Sequence, residues 1–139
     1  MTFGWIVPAT EVVVDASALL KLIIDESDSP AFTGWWEAHL RGGGRLMAPH
    51  IIRYEIGQRL TRDVLETDLG PGDRERLRDE ALRGVVFADG AFIERWAPPL
   101  SFYDAAYVAL AETTGTTLVT YDDEMIAVAR QAGVDVLTP

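Results

Sequence analysis

Glu11-Val12-Val13-Val14-Asp15-Ala16-Ser17-Ala18-Leu19 is the stretch on which the fold of this chain turns. Its valines form an unbroken apolar run, the pattern of a strand buried on both faces. Leu19, Leu20, Ile23 and Ile24 then recur at helical spacing, which predicts a helix from Ala16 to about Asp25. A buried strand feeding directly into a helix is the first half of a βαβ unit.

The alternation continues downstream. Ser29 is a candidate N-cap for a helix that opens at Pro30 and stops at Gly42-Gly43-Gly44. Arg45-Leu46-Met47-Ala48 reads as a short strand, and Pro49 opens a helix to about Glu66. Gly70-Pro71-Gly72 reads as a turn, with Asp73 capping a charged helix to about Arg83. Residues 84–100, with Gly84, Gly90 and Pro98-Pro99, carry no clear pattern. A helix follows from Phe102 to about Thr114, then a strand over 116–120, a helix over 123–132 closed by Gly133, and a short strand over 134–137. Repeated βα units imply a parallel sheet with right-handed crossovers. The expected fold class is therefore α/β, a three-layer α/β/α sandwich around a parallel sheet of about four to five strands. No repeat or linker divides it, so residues 11–139 are expected to form one domain behind an N-terminal arm, residues 1–10.

Composition narrows the chemistry. The chain has 139 residues, 48% of them hydrophobic, which suits a domain with a real core. It has no cysteine, so disulfides, zinc–thiolate sites and cysteine nucleophiles are excluded. No basic residue precedes the apolar stretch in Met1–Pro8, and no apolar run is long enough to span a bilayer. A soluble, cytoplasmic protein without membrane contact is expected. The net charge of −10 opposes indiscriminate nucleic-acid binding. Yet nine of the twelve basic residues fall within residues 41–83, against eight acids there. Arginines paired with acids on solvated helix faces are the simplest account of that segment.

Four acids stand out by position. Asp15 closes the first strand, and Asp122 follows the strand Thr117-Leu118-Val119-Thr120 by one residue. In a parallel sheet the carboxyl ends of the strands meet at one crevice, where ligands bind. Asp15 and Asp122 are also natural N-caps for the helices after them, and Asp123 competes with Asp122. Ser101-Phe102-Tyr103-Asp104 matches a capping box, but the helix that follows is apolar all round, and a buried carboxylate needs a partner. Glu55 projects between Ile51 and Ile52 on the face that enters the core. A pair with Arg59 four residues on explains an exposed glutamate, not one on an apolar stripe. Four acids in one crevice require a cation to remain ionised, so the set reads as a Mg²⁺ or Mn²⁺ site. Ser17 and Thr120 flank Asp15 and Asp122 as supporting hydroxyls. His39 and His50 share no metal-ligand spacing.

These motifs resemble those of the PIN-domain nucleases, and among them the VapC-type toxins of toxin–antitoxin pairs. Four segments carry the resemblance: Val12–Leu19, Ala48–Glu55, Leu100–Glu112 and Leu118–Asp122, in family order and with family-like spacing. The third is the most specific. The resemblance implies Asp15, Glu55, Asp104 and Asp122 as the catalytic and metal-binding acids, and it prefers Asp122 over Asp123. Asp15 and Asp104 are then expected to ligate Mg²⁺ (or Mn²⁺) directly, with Glu55 and Asp122 holding its waters or a second ion. It further implies a metal-dependent endoribonuclease that cuts RNA phosphodiester bonds, a homodimer, and a cognate antitoxin protein that covers the cleft. The arm and the short stretch before Ser101 depart from the family pattern. Three alternatives stand beside this reading: a PIN-like scaffold that binds without turnover, a PIN nuclease outside any toxin–antitoxin pair, and a phosphoacceptor receiver domain. The receiver needs a lysine near the last strand, and Lys21 is the only lysine.

Overall fold

The computed structural model describes residues 10–63 and 69–139, so the expected arm lies almost wholly outside the described residues, as does the end of the third helix. Five strands, β1 (Glu11–Val14), β2 (Arg45–Ala48), β3 (Val85–Phe87), β4 (Thr117–Val119) and β5 (Val136–Leu137), form one sheet in the order β3-β2-β1-β4-β5. Every pairing is parallel: Val13 lies opposite Met47 on one side and Leu118 on the other. Val12, Val13 and Val14 are buried, as their unbroken run requires.

Among the described residues six helices cover the sheet: α1 (Ala16–Leu19), α2 (Ser29–Arg41), α3 (Ile52–Asp63), α4 (Pro71–Ala81), α5 (Phe102–Thr114) and α6 (Asp123–Gln131). The chain steps outward from β1 through β2 to β3, returns to the other side of β1 at β4, and ends at β5. Right-handed crossovers then put the helices before β3 on one face and those after it on the other. The result is the three-layer α/β/α sandwich expected from the sequence. The reversal makes a switch point between β1 and β4, and α5 packs against both strands. Ligand sites of open parallel sheets form outside the carboxyl ends of strands at such a point.

Several local expectations change. The first helix is shorter than its periodicity suggests: α1 gives way to a 3-10 turn over Leu20–Leu22. Ser29 does not cap α2; its hydroxyl donates to the Ile24 carbonyl at 2.9 Å and accepts from Glu26 N–H, closing the loop. Gly70-Pro71-Gly72 is the start of α4, with Gly70 at the N-cap and Asp73 reaching back to its N–H. Residues 84–100 hold a strand, β3, and a 3-10 turn over Ile93–Trp96. Gly90 in this stretch lies so close to α5 that a Cβ would stand 2.5 Å from the Ala109 carbonyl carbon. No described helix is long and apolar enough to cross a membrane.

Candidate active site

The four acids come from four separate elements and line one cleft of about 280 Å³, together with Ser17, Tyr107, Gln58, Arg59 and Arg62. Asp15 is its floor. The Asp15 amide still pairs with the Val119 carbonyl at 3.1 Å, which ties the residue to the β1–β4 switch point. Its Oδ1 accepts from Ala18 N–H at 2.9 Å and from Ser17 Oγ at 2.8 Å. Its Oδ2 accepts from Thr120 Oγ1 at 2.6 Å. Asp15 therefore does cap α1, and it does so without leaving the cleft. Capping and site membership are compatible.

Thr120 links two of the acids. Fully buried just after β4, it donates to Asp15 and accepts from Asp122 N–H at 3.0 Å. Asp122 then caps α6, its Oδ1 accepting from Met125 N–H at 2.8 Å. Asp123 is exposed and is not among the cleft residues, so Asp122 is the one of the two neighbours that lines the cleft. Asp104 sits in the first turn of α5, its N–H donating to the Ser101 hydroxyl at 3.1 Å. The helix is not apolar-buried all round: residues 105–111 are buried, but Phe102 and Tyr103 face solvent.

Glu55 is half-buried on α3, beside the buried stripe Ile52, Ile56 and Leu60. Its partner is the Tyr107 hydroxyl, which donates to Oε1 at 2.8 Å from α5. Tyr107 is the residue that reading the sequence missed. It was legible as core only, although a buried tyrosine needs somewhere to send its hydroxyl. His39 stacks on Trp35 and bonds the Arg45 carbonyl, and exposed His50 pairs with Asp89; neither joins the cleft.

The electrostatics follow from crowding acids at a sheet edge. Burial pushes the Asp15 carboxyl up to about 6, against the pull of Thr120, Ala18 and Ser17, and the Asp122 charge adds to the rise. Burial also raises Glu55, offset by Tyr107 and to a smaller extent by Arg59, while Asp104 and Asp15 push the same way as burial. Asp104 is raised by burial and then by Asp122. Burial and the Glu55 charge hold the Tyr107 hydroxyl well above its ordinary range, so it stays a donor. Neighbouring acids thus raise one another, which is the signature of a site short of positive charge.

Among the described residues no three carboxylates or histidines stand close enough to form a ready metal cage. Asp15, Glu55 and Asp122 each accept hydrogen bonds from the protein. The donor set is all oxygen, and Mg²⁺ is characteristically held by one or two carboxylates while keeping several waters. The residues present fit a hydrated hard cation.

The chain is similar to known proteins along most of its length. The PIN domain family profile matches residues 12–131. Ribonuclease VapC9 of Mycobacterium tuberculosis is 34% identical over 116 residues, covering 80% of this chain and 85% of that one. VapC ribonuclease Mb0985 of Mycobacterium bovis matches to the same extent. Among solved structures, PAE2754 from Pyrobaculum aerophilum superposes with a TM-score of 0.65 at 28% identity, covering 93% of this chain and 92% of that one. FitAcB from Neisseria gonorrhoeae shares the fold, with a TM-score of 0.62 at 15% identity over 92% of this chain and 97% of that one. With its sheet order, its acid cleft and these relatives, the chain belongs to the PIN-domain family and is of the VapC type.

Proposed function

We propose that this protein is a metal-dependent endoribonuclease whose reaction centre is the cleft of Asp15, Glu55, Asp104 and Asp122. The observation that carries it is the convergence of these four acids, from four elements, at the β1–β4 switch point. The relatives' printed activity, ribonuclease, supports RNA as substrate. A divalent cation, Mg²⁺ or Mn²⁺, supplies a Lewis acid that activates water at neutral pH and offsets charge building on the phosphoryl oxygens.

The chain's own residues do the positioning. Ser17, Ala18 and Thr120 lock Asp15 in one orientation, so little reorganisation remains when substrate arrives. Tyr107 holds Glu55 toward the cleft, and the α6 cap fixes Asp122. Arg59 and Arg62 line the same cleft and would offer positive charge to a phosphate bound there. Asp104→Ala is expected to abolish cleavage of a structured RNA in Mg²⁺ while leaving the circular-dichroism spectrum unchanged, and EDTA to abolish it in the wild type. Full activity in either case sinks the proposal.

The same reading extends to partners: a homodimer, and a cognate antitoxin that inserts a basic side chain into the acidic cleft. Phe102 and Tyr103, exposed beside Asp104, offer apolar surface at its rim. Sedimentation of the free protein tests the dimer. Protection of the cleft acids from carbodiimide by the protein encoded next to it tests the antitoxin.

A further inference from the structure

We infer that the groove between α3 and α4 is a second RNA-binding element, a subsite that holds a phosphate and stacks a base of the strand entering the acid cleft. It rests on the nuclease reading and adds to it a place for the substrate's flank. The groove has a volume of about 610 Å³ and is lined by Arg53, Tyr54, Gly57, Gln58, Arg62 and Arg78 among others. Gln58 and Arg62 also line the acid cleft, so the two depressions adjoin.

Two guanidinium groups from different helices converge here on a single oxygen. Arg78 Nε lies 3.2 Å and Arg53 Nη2 3.9 Å from the same Asp79 Oδ1. An anionic oxygen is therefore already accepted at this spot, and arginine suits a phosphate at least as well as a carboxylate. All three side chains are partly exposed, and exposed ion pairs hold weakly, so a phosphate displaces Asp79 readily. Gly57 is otherwise a poor choice inside a helix. A Cβ there would touch Arg78 Cδ at 3.8 Å, so a longer side chain would take up space beside that arginine. Tyr54 is 72% exposed at its edge, a ring free to stack on a base. On a chain of net charge −10, a strand needs local positive charge of this kind to approach four acids.

The test is anisotropy of a labelled single-stranded oligouridylate with the cleavage-blocked Asp15→Asn protein, read across a salt series. Removing both Arg53 and Arg78 (to alanine) is expected to weaken binding about tenfold or more and to flatten the log–log salt slope by about 0.7 per arginine. Asp79→Asn is expected to tighten binding severalfold, a gain that misfolding does not imitate. Tyr54→Ala is expected to weaken it about tenfold, with Tyr54→Phe close to the parent. Unchanged affinity in the double-arginine variant, or weaker binding by Asp79→Asn, overturns the subsite. A parallel cleavage assay separates the two claims. Binding that depends on the arginines in a protein that cuts no RNA retires the nuclease reading and leaves the subsite. Cleavage of the same RNA with undiminished kcat/KM in the double variant retires the subsite alone.

Discussion

The acid cleft and the arginine groove share Gln58 and Arg62, yet they are built on opposite terms. In the cleft, charge is buried. Asp15 is almost solvent-free and its carboxyl is displaced from 3.8 to about 6, so keeping it ionised at neutral pH costs the fold roughly 3 kcal/mol. In the groove, charge is at the surface, where ion pairs are worth about 0–1 kcal/mol. The contrast separates two kinds of residue. Removing the buried charge of the cleft floor should move rate and stability in opposite directions; groove substitutions should move affinity and leave the fold alone.

The sharpest break is Asp15→Asn. Cleavage is expected to fall about a thousandfold, since the charge that serves the reaction is gone. Stability should rise. A carboxyl whose pKa is higher folded than unfolded binds its proton more tightly in the folded state. Its contribution is complete below about pH 3.8 and is lost as pH rises through about 6. Asn carries no such loss, so urea unfolding should show the variant more stable by up to about 3 kcal/mol near pH 8, with the gap closing toward about pH 3. Comparing the two proteins at each pH removes groups of opposite sign, such as Asp28. Lys21 holds its carboxyl low, and its contribution is lost as pH falls. A variant less stable than wild type at pH 8 would show that the three donors to Asp15 outweigh its burial.

Tyr107→Phe removes one hydroxyl and leaves Glu55 half-buried without that donor. A loss of about 1–3 kcal/mol in stability is expected. The Glu55 carboxyl should also rise further, because Tyr107 is the largest influence holding it down. The acid limb of the pH–rate profile then shifts to higher pH, which a merely structural role would not produce.

How much of this was legible depends on which force decides each position. Val12–Val14 and residues 105–111 of α5 are read correctly because burial on all sides leaves one pattern. β3 was not legible: Val85-Val86-Phe87 is a three-residue edge strand with Val86 and Phe87 partly exposed, too short to show a period. Gly90 lay in a stretch without a clear pattern and is a contact, set by the α5 backbone some twenty residues on. Among the acids, the capping alternatives for Asp15 and Asp122 were true, and each carboxylate caps a helix while lining the cleft. Glu55 was conspicuous because an acid on an apolar stripe breaks the local rule. Its donor, Tyr107, obeyed the rule and so stayed hidden until the fold brought residues 52 positions apart together.

Smaller effects test whether the rim matters as much as the floor. Ser101→Ala deletes the α5 N-cap, and thermal unfolding should register about 1 kcal/mol. Activity should drop only modestly, because Asp104 keeps its place in the helix. A collapse of activity as deep as that of Asp15→Asn would mean that the α5 start, and not the floor, sets the geometry of the site.

The smallest expected effect asks most of the groove. Arg76 lies on α4 two residues before Arg78, is 71% exposed, and pairs with Asp73 instead of turning into the groove. Arg76→Ala removes the same unit of charge as Arg78→Ala from the same helix. If affinity for RNA depended on the total charge of this segment, the two variants would weaken binding alike. If it depends on convergence with Arg53, only Arg78→Ala should, and Arg76→Ala should change both stability and affinity by less than about 0.5 kcal/mol. Equal losses from the two would reduce the groove to a diffuse positive surface. A clear gap between them shows that position, on an otherwise acidic chain, is what admits the strand.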